Sequence, residues 1–99
     1  MATKEESMSY LRDVAPEQSF WVNNGPILKN LEELANALPD MSSETFGHHV
    51  NNEKNDFSSW ISQVIGDEKL ANDLLSSKSK DSVLKKIRNR LDSLKKKAG

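Results

Sequence analysis

The run Phe46 to Leu75, FGHHVNNEKNDFSSWISQVIGDEKLANDLL, constrains the fold more than any other part of the chain, because it packs two helix starts and two apolar stripes into one short span. Asp56 precedes Phe57, Trp60, Ile61, Val64 and Ile65, which recur at helical spacing and form the cleanest stripe in the sequence. Gly66 follows in the position of a left-handed residue that ends a helix, and Asp67 at once opens another, with Leu70, Ala71, Leu74 and Leu75 inward. Both carboxylates read as caps of a first helical turn, each worth about 1 kcal/mol against alanine. Short helices joined this tightly must bury their stripes against one another, so the segment specifies a helical bundle.

The flanking sequence extends that bundle. Asn30 starts a helix through Leu31, Leu34, Ala35 and Leu38, with Glu33 placed to reach back to the cap, until Pro39 and Asp40 end it. Ser42 or Ser43 caps a second, with Phe46, His49 and Val50 inward, ending at Asn51-Asn52. Towards the N-terminus the first six residues are polar and read as disordered. Ser7 then caps a short helix through Met8, Leu11 and Val14, stopped by Pro16. Phe20 to Val22 and Pro26 to Leu28 read as extended, joined by Asn23-Asn24-Gly25 with the glycine taking a positive φ. A last helix runs from about Ser79 or Asp81 to Lys96. Its Leu84, Ile87, Leu91, Leu94 and Ala98 alternate at spacings of three and four, a seam of two heptads. The expectation is an all-α single domain of four short helices and a longer C-terminal one, with a short extended segment or hairpin near residues 20–28. Residues 1–18 form a flexible or weakly helical lead, 19–98 the domain, and 78–98 its basic helix. The core is expected around Phe46, Phe57, Trp60, Ile61, Val64, Leu70 and Leu74, with Phe20 and Trp21 covering one end.

Composition narrows the function classes. Ninety-nine residues make one domain, which buries about two thirds of its unfolded surface. The absence of cysteine removes disulfides, thiolate metal sites and thiol nucleophiles. No apolar run is long enough for a membrane span, and the opening MATKEESMSYLRDVAPEQ lacks a secretory apolar run, so a cytoplasmic protein with no membrane partner is expected. The net charge of −1 conceals a segregation: residues 1–77 carry five Lys/Arg against thirteen Asp/Glu, and residues 78–99 carry nine against two. The basic helix can pack over its own acidic body or reach an acidic partner.

One part of the chain has a recognisable pattern. His49-Val50, Asn55-Asp56-Phe57, Trp60-Ile61, Val64, Gly66-Asp67 and Leu70-Ala71, preceded by Phe20 to Leu38, resemble a family of small helical domains of unknown function from archaea and little-cultured bacteria. The resemblance covers roughly residues 19–76 and is most specific at NDFSSWI and GDEKLA. It implies the fold and names no activity.

The candidates for chemistry are few. His48 and His49 are the only imidazoles, and neighbours on a helix point about 100° apart, so they are poorly placed to share a metal ion. His49 reads as an inward ring hydrogen-bonded to a backbone carbonyl or a carboxylate, with Asp56 the partner that their shared place in the family pattern suggests, and His48 reads as the more exposed. Asn55 reads as holding a loop in an unusual backbone conformation, and Trp60 as core. His49, Asn55, Asp56, Trp60, Gly66 and Asp67 are thus structural positions, with no catalytic residue, metal or cofactor implied. Gly-rich phosphate loops, nucleophile elbows and metalloprotease pairs are missing. A recognition helix for DNA is disfavoured because Asp67, Glu68 and Asp73 outnumber Lys69 on the helix after Gly66. The expected function is protein binding, to a partner or a second copy, through Trp21 and the seam of Leu84, Ile87, Leu91 and Leu94. The alternative is weak, nonspecific association with nucleic acid through Lys85, Lys86, Arg88, Arg90, Lys95, Lys96 and Lys97. A third reading, an enzyme using His49 with Asp56 or Asp67, lacks a nucleophile and a cofactor fingerprint.

Overall fold

The computed structural model describes residues 3–99. Along the chain run α1 (Lys4–Leu11), a 3₁₀ turn (Pro16–Gln18), β1 (Phe20–Trp21), β2 (Ile27–Leu28), α2 (Leu31–Ala37), a second 3₁₀ turn (Leu38–Asp40), α3 (Ser43–His49), α4 (Asp56–Trp60), a π-helical turn (Ile61–Ile65), α5 (Glu68–Leu75) and α6 (Lys80–Ala98). The fold is mostly helical but not purely all-α, because β1 and β2 pair as a small antiparallel sheet, Phe20 opposite Leu28 and Trp21 opposite Ile27.

Each α-helix opens on a side-chain cap, and three details differ from the sequence reading. The first helix starts earlier than Ser7 and ends at Leu11, so that Val14 lies beyond it and Pro16 is not its stop. Thr3 Oγ1 accepts the Glu6 N–H at 3.1 Å while the Glu6 carboxylate accepts the Thr3 N–H at 3.0 Å, a reciprocal pair that satisfies two free amides where Ser7 would satisfy one. Ser7 is buried inside α1, and of the expected disordered opening only Met1 and Ala2 lie outside the described residues. In α2, Asn30 accepts the Glu33 N–H at 2.7 Å as expected, but Glu33 reaches the Lys29 N–H instead of the cap's own. Before α4 the cap is Asn55, whose Oδ1 accepts the Ser58 N–H at 3.0 Å, and Asp56 is the first helical residue.

The tight turn of the hairpin also shifts its expected residue. Asn24, not Gly25, takes the left-handed conformation, at φ 58°, which asparagine tolerates better than most side chains. Gly25 is needed for space: a Cβ there would lie 2.9 Å from Val22 Cγ1.

The stripe on α4 continues through a change of helix type. The Gly66 N–H reaches the Ile61 carbonyl at 2.7 Å, five residues back, and Gly66 closes the turn at φ 95°. Widening the turn leaves carbonyls without helical donors. Arg12 supplies them from outside, donating to the Val64 oxygen at 2.9 Å and the Ile65 oxygen at 3.1 Å. Asp67 then caps α5 through the Leu70 N–H and receives the Arg90 guanidinium in a two-pronged contact at 2.7 and 3.0 Å. With side-chain exposures of 1% and 13%, this pair is sealed from water, which makes it costly to break from one side.

The core lies between α6 and the helices packed on it, α1, α2 and α5. Phe46, Phe57, Trp60, Ile61, Leu70 and Leu74 are buried as expected, joined by Leu31, Leu34 and Leu38. Val64 is only partly buried, and Leu75 is 54% exposed, so it does not belong to the inward face of α5. Trp60 satisfies its indole N–H on the Gln18 carbonyl at 2.8 Å. The seam of α6 closes on its own chain: Val83, Ile87, Leu91 and Leu94 are buried, while Leu84 is half-buried beside them. Ile87, Leu91 and Leu94 are therefore not a free face for a partner helix. The expected seam is an internal one, because α1 and α2 already cover it.

Candidate functional site

His49 stands where α3, α4 and the hairpin meet. The last turn of α3 carries it inward, and the loop after it doubles back through a bridge between Val50 and Asn55 and an Asn51 N–H to Lys54 carbonyl bond at 3.0 Å. That closure brings Asp56 beside the ring, with His49 Nδ1 and Asp56 Oδ2 2.9 Å apart, as the sequence pairing anticipates. On the other side, His49 Nε2 accepts the Asn23 backbone N–H at 3.0 Å. A ring nitrogen that accepts an amide hydrogen cannot carry its own, so the proton sits on Nδ1 and the imidazole is neutral with Nδ1–H donating to Asp56. Phe20 meets the ring edge-on at a centroid distance of 4.9 Å, and Phe57 at 5.4 Å. Both nitrogens are thus occupied by protein groups, and the ring is buried while His48 is exposed.

Asp56 is shared. Burial pushes its carboxyl upwards, but the hydrogen bonds from His49 and Lys54 outweigh that, and the carboxyl is held below its usual 3.8. Lys54 Nζ donates to the same oxygen, Oδ2, at 3.0 Å. Asn55 is not a strained loop residue: its backbone is ordinary extended, φ −139°, and its buried Nδ2 donates to the Leu74 carbonyl at 3.0 Å, fastening α4 to the end of α5. Trp60 and Asp67 do not join His49 around a hollow. Trp60 packs on Phe20 in the core, and Asp67 faces Arg90. Among the described residues, no three His, Asp or Glu side chains gather where they could hold a metal ion.

What the geometry does present is the hairpin. Phe20 and Leu28 point into the core, and Trp21 and Ile27, opposite each other across the two strands, point out with exposures of 69% and 52%. Trp21 therefore does not cover the end of the core; Phe20 alone does, since neighbouring residues of a strand face opposite sides. Beside the turn lies a groove of about 510 Å³, with Val22, Asn24 and Pro26 on the hairpin side and Met41, Glu44 and Thr45 on the other. Asn23 joins its walls: its N–H goes to His49 and its carbonyl accepts from Thr45 Oγ1 at 3.3 Å. Sequence reasoning missed Asn23, whose role is carried by its backbone, and Ile27, which a strict count of alternation across the turn would have placed opposite Trp21.

The basic helix is partly neutralised by its own body. Arg90 pairs with Asp67 and Lys95 with Glu32, while Lys86 Nζ donates to the Asp73 carbonyl at 2.8 Å and Lys80 Nζ to that of Met41 at 2.8 Å. Lys85, Arg88 and Lys96 are exposed, and with Lys97 they make no side-chain hydrogen bond or ion pair among the described residues. No helix among those residues is long and apolar enough to cross a membrane.

Compared with known proteins, the chain matches no curated protein and no solved structure. A family model, described as a family of unknown function (DUF5752), matches residues 14–96. The match runs beyond the 19–76 stretch that carries the sequence resemblance, and so takes in nearly all of α6 as well as β1 and β2. With its buried apolar core, its hairpin and nearly all of its basic helix inside that span, the chain belongs to the DUF5752 family of unknown function.

Proposed function

We propose that this chain is a protein-binding module and that the outward face of its hairpin, Trp21 with Ile27, is the part a partner grips. The observation that carries the reading is the exposure of a tryptophan at 69% directly across from an isoleucine at 52%. Tryptophan is enriched among the few residues that dominate binding energy at interfaces, and water is a poor environment for both side chains. The ribbon beneath them is already ordered. Phe20 and Leu28 anchor its inner face, and the Val14 N–H donates to the Lys29 carbonyl at 2.7 Å, so little conformational freedom is left to lose on binding.

The test is capture from the native host by cross-linking and mass spectrometry, with wild type beside a Trp21→Ala/Ile27→Ala variant whose circular dichroism and melting match. Proteins cross-linked near the hairpin should disappear from the variant. Recovery of the same proteins at the same yield would overturn the reading.

A second reading rests on Lys85, Arg88, Lys96 and Lys97, the cations of α6 left without partners among the described residues. They support weak, nonspecific contact with nucleic acid, without the aromatic rings that stack on bases. A gel shift at low salt that fades steeply as salt is raised is the expected sign, and no shift at low salt would end it.

A further inference from the structure

We infer that His49 is a proton-operated latch for the hairpin: the neutral ring holds the turn at Asn23, and a protonated ring releases it. The two nitrogens respond to a proton in opposite ways. At Nδ1 the ring already donates to Asp56, 2.9 Å away, and gaining a charge strengthens that contact, since hydrogen bonds between ions are shorter and stronger than neutral ones. At Nε2 the ring accepts the Asn23 N–H at 3.0 Å, and a new hydrogen there would point at the amide's own. The protonated ring therefore keeps Asp56 and loses Asn23. Because the carboxylate supplies a countercharge, the imidazolium is a workable state of a buried ring and not merely a step towards unfolding.

The charged and titratable groups facing the ring set how readily this happens. From α4 comes Asp56, which favours the proton. From the loop comes Lys54, bonded to Asp56 at 3.0 Å and opposing it. From α3 comes His48, its ring edge-on at a centroid distance of 5.0 Å and exposed, which opposes a second charge once it is itself protonated. The hairpin contributes a backbone amide and the Phe20 ring, and α4 adds the Phe57 ring. What loosens on release is a wall of the groove, because Asn23 lines it and is then left with the 3.3 Å contact from Thr45 Oγ1. The latch itself stands on these bonds. Its consequence, that acidification loosens the platform carrying Trp21 and Ile27, rests on the binding reading above.

The experiment is a pH titration of the full ¹⁵N-labelled chain by NMR, following the His49 ring nitrogens and the Asn23 amide together. At neutral pH the ring should carry its proton on Nδ1 alone. As the ring titrates, the Asn23 amide should shift along the same single-proton curve. Its exchange protection, corrected for the intrinsic effect of pH, should fall about tenfold, the scale of one lost hydrogen bond. Leu34 and Ile87, in α2 and α6, should keep theirs. In an Asp56→Asn variant, which retains an acceptor but not the countercharge, release should move to lower pH. A proton on Nε2 at neutral pH, an Asn23 amide indifferent to the ring's titration, or simultaneous loss of protection at Leu34 and Ile87 would each overturn the latch. If the titration succeeds while the Trp21→Ala/Ile27→Ala variant still captures the same proteins, the latch stands and the binding reading falls. If the titration fails while the variant loses its captured proteins, the binding reading stands and the latch falls.

Discussion

A single oxygen of Asp56 receives both His49 Nδ1–H and Lys54 Nζ–H, and this crowding on one atom explains why its carboxyl is held below 3.8 despite partial burial. Folding therefore favours the ionised form. The resulting stability is fully present above the ordinary carboxylate value and is lost as the pH falls through the lowered one, when the folded carboxylate finally takes a proton. The expected outcome is that wild type exceeds Asp56→Asn in stability at neutral pH and that the margin narrows below pH 3.8, as read from urea unfolding at a series of pH values. A margin independent of pH would mean that the charge does not matter there. Asp67 has a similar place in the sequence and a different burden. It caps Leu70 and also neutralises Arg90 in a sealed pair, a contact between residues far apart in the chain that no local pattern announces.

At the scale of the element, the α4 region shows how a helix is defined from both ends. Asn55 caps its first turn and ties it to Leu74, Arg12 reaches in from beyond α1 to satisfy the widened turn at its end, and Gly66 supplies the φ of 95° that lets α5 begin at once. Replacing Asn55 by Ala removes a cap, worth about 1 kcal/mol, and also one of the donors to the buried Leu74 carbonyl, worth about 0.5–1.5 kcal/mol because the Ser77 N–H still reaches that oxygen at 3.0 Å. Thermal or denaturant unfolding of Asn55→Ala should thus show a loss of about 1.5–2.5 kcal/mol, and a loss near that of a simple cap would mean that the bond to Leu74 contributes nothing. The stripe Phe57, Trp60, Ile61 and the glycine stop were legible because periodicity and helix stops are local properties. The π-helical turn was not, since the donor that makes it tolerable is Arg12, distant in sequence.

For the molecule as a whole, the decisive choice is where the seam of α6 goes. Val83, Ile87, Leu91 and Leu94 turn into the chain's own core under α1, α2 and α5, leaving Leu84 at the edge. Ile87→Ala should cost about 2–5 kcal/mol, and Leu84→Ala clearly less, with no dependence on protein concentration in either unfolding curve. A concentration-dependent midpoint would return the seam to a partner. By themselves, the residues determined where most of the helices lie, the glycine stop at Gly66 and the hairpin, because apolar spacing and turn chemistry act over a few residues, while the pairing of His49 with Asp56 was suggested by the family resemblance. Only the tertiary structure decided that the seam is internal, that Asp67 meets Arg90, that Trp21 faces water while Phe20 does not, and that the Asn23 amide closes on His49. Each of those depends on which distant surface arrives first to exclude water, and a repeat of apolar residues is satisfied by any surface that does so.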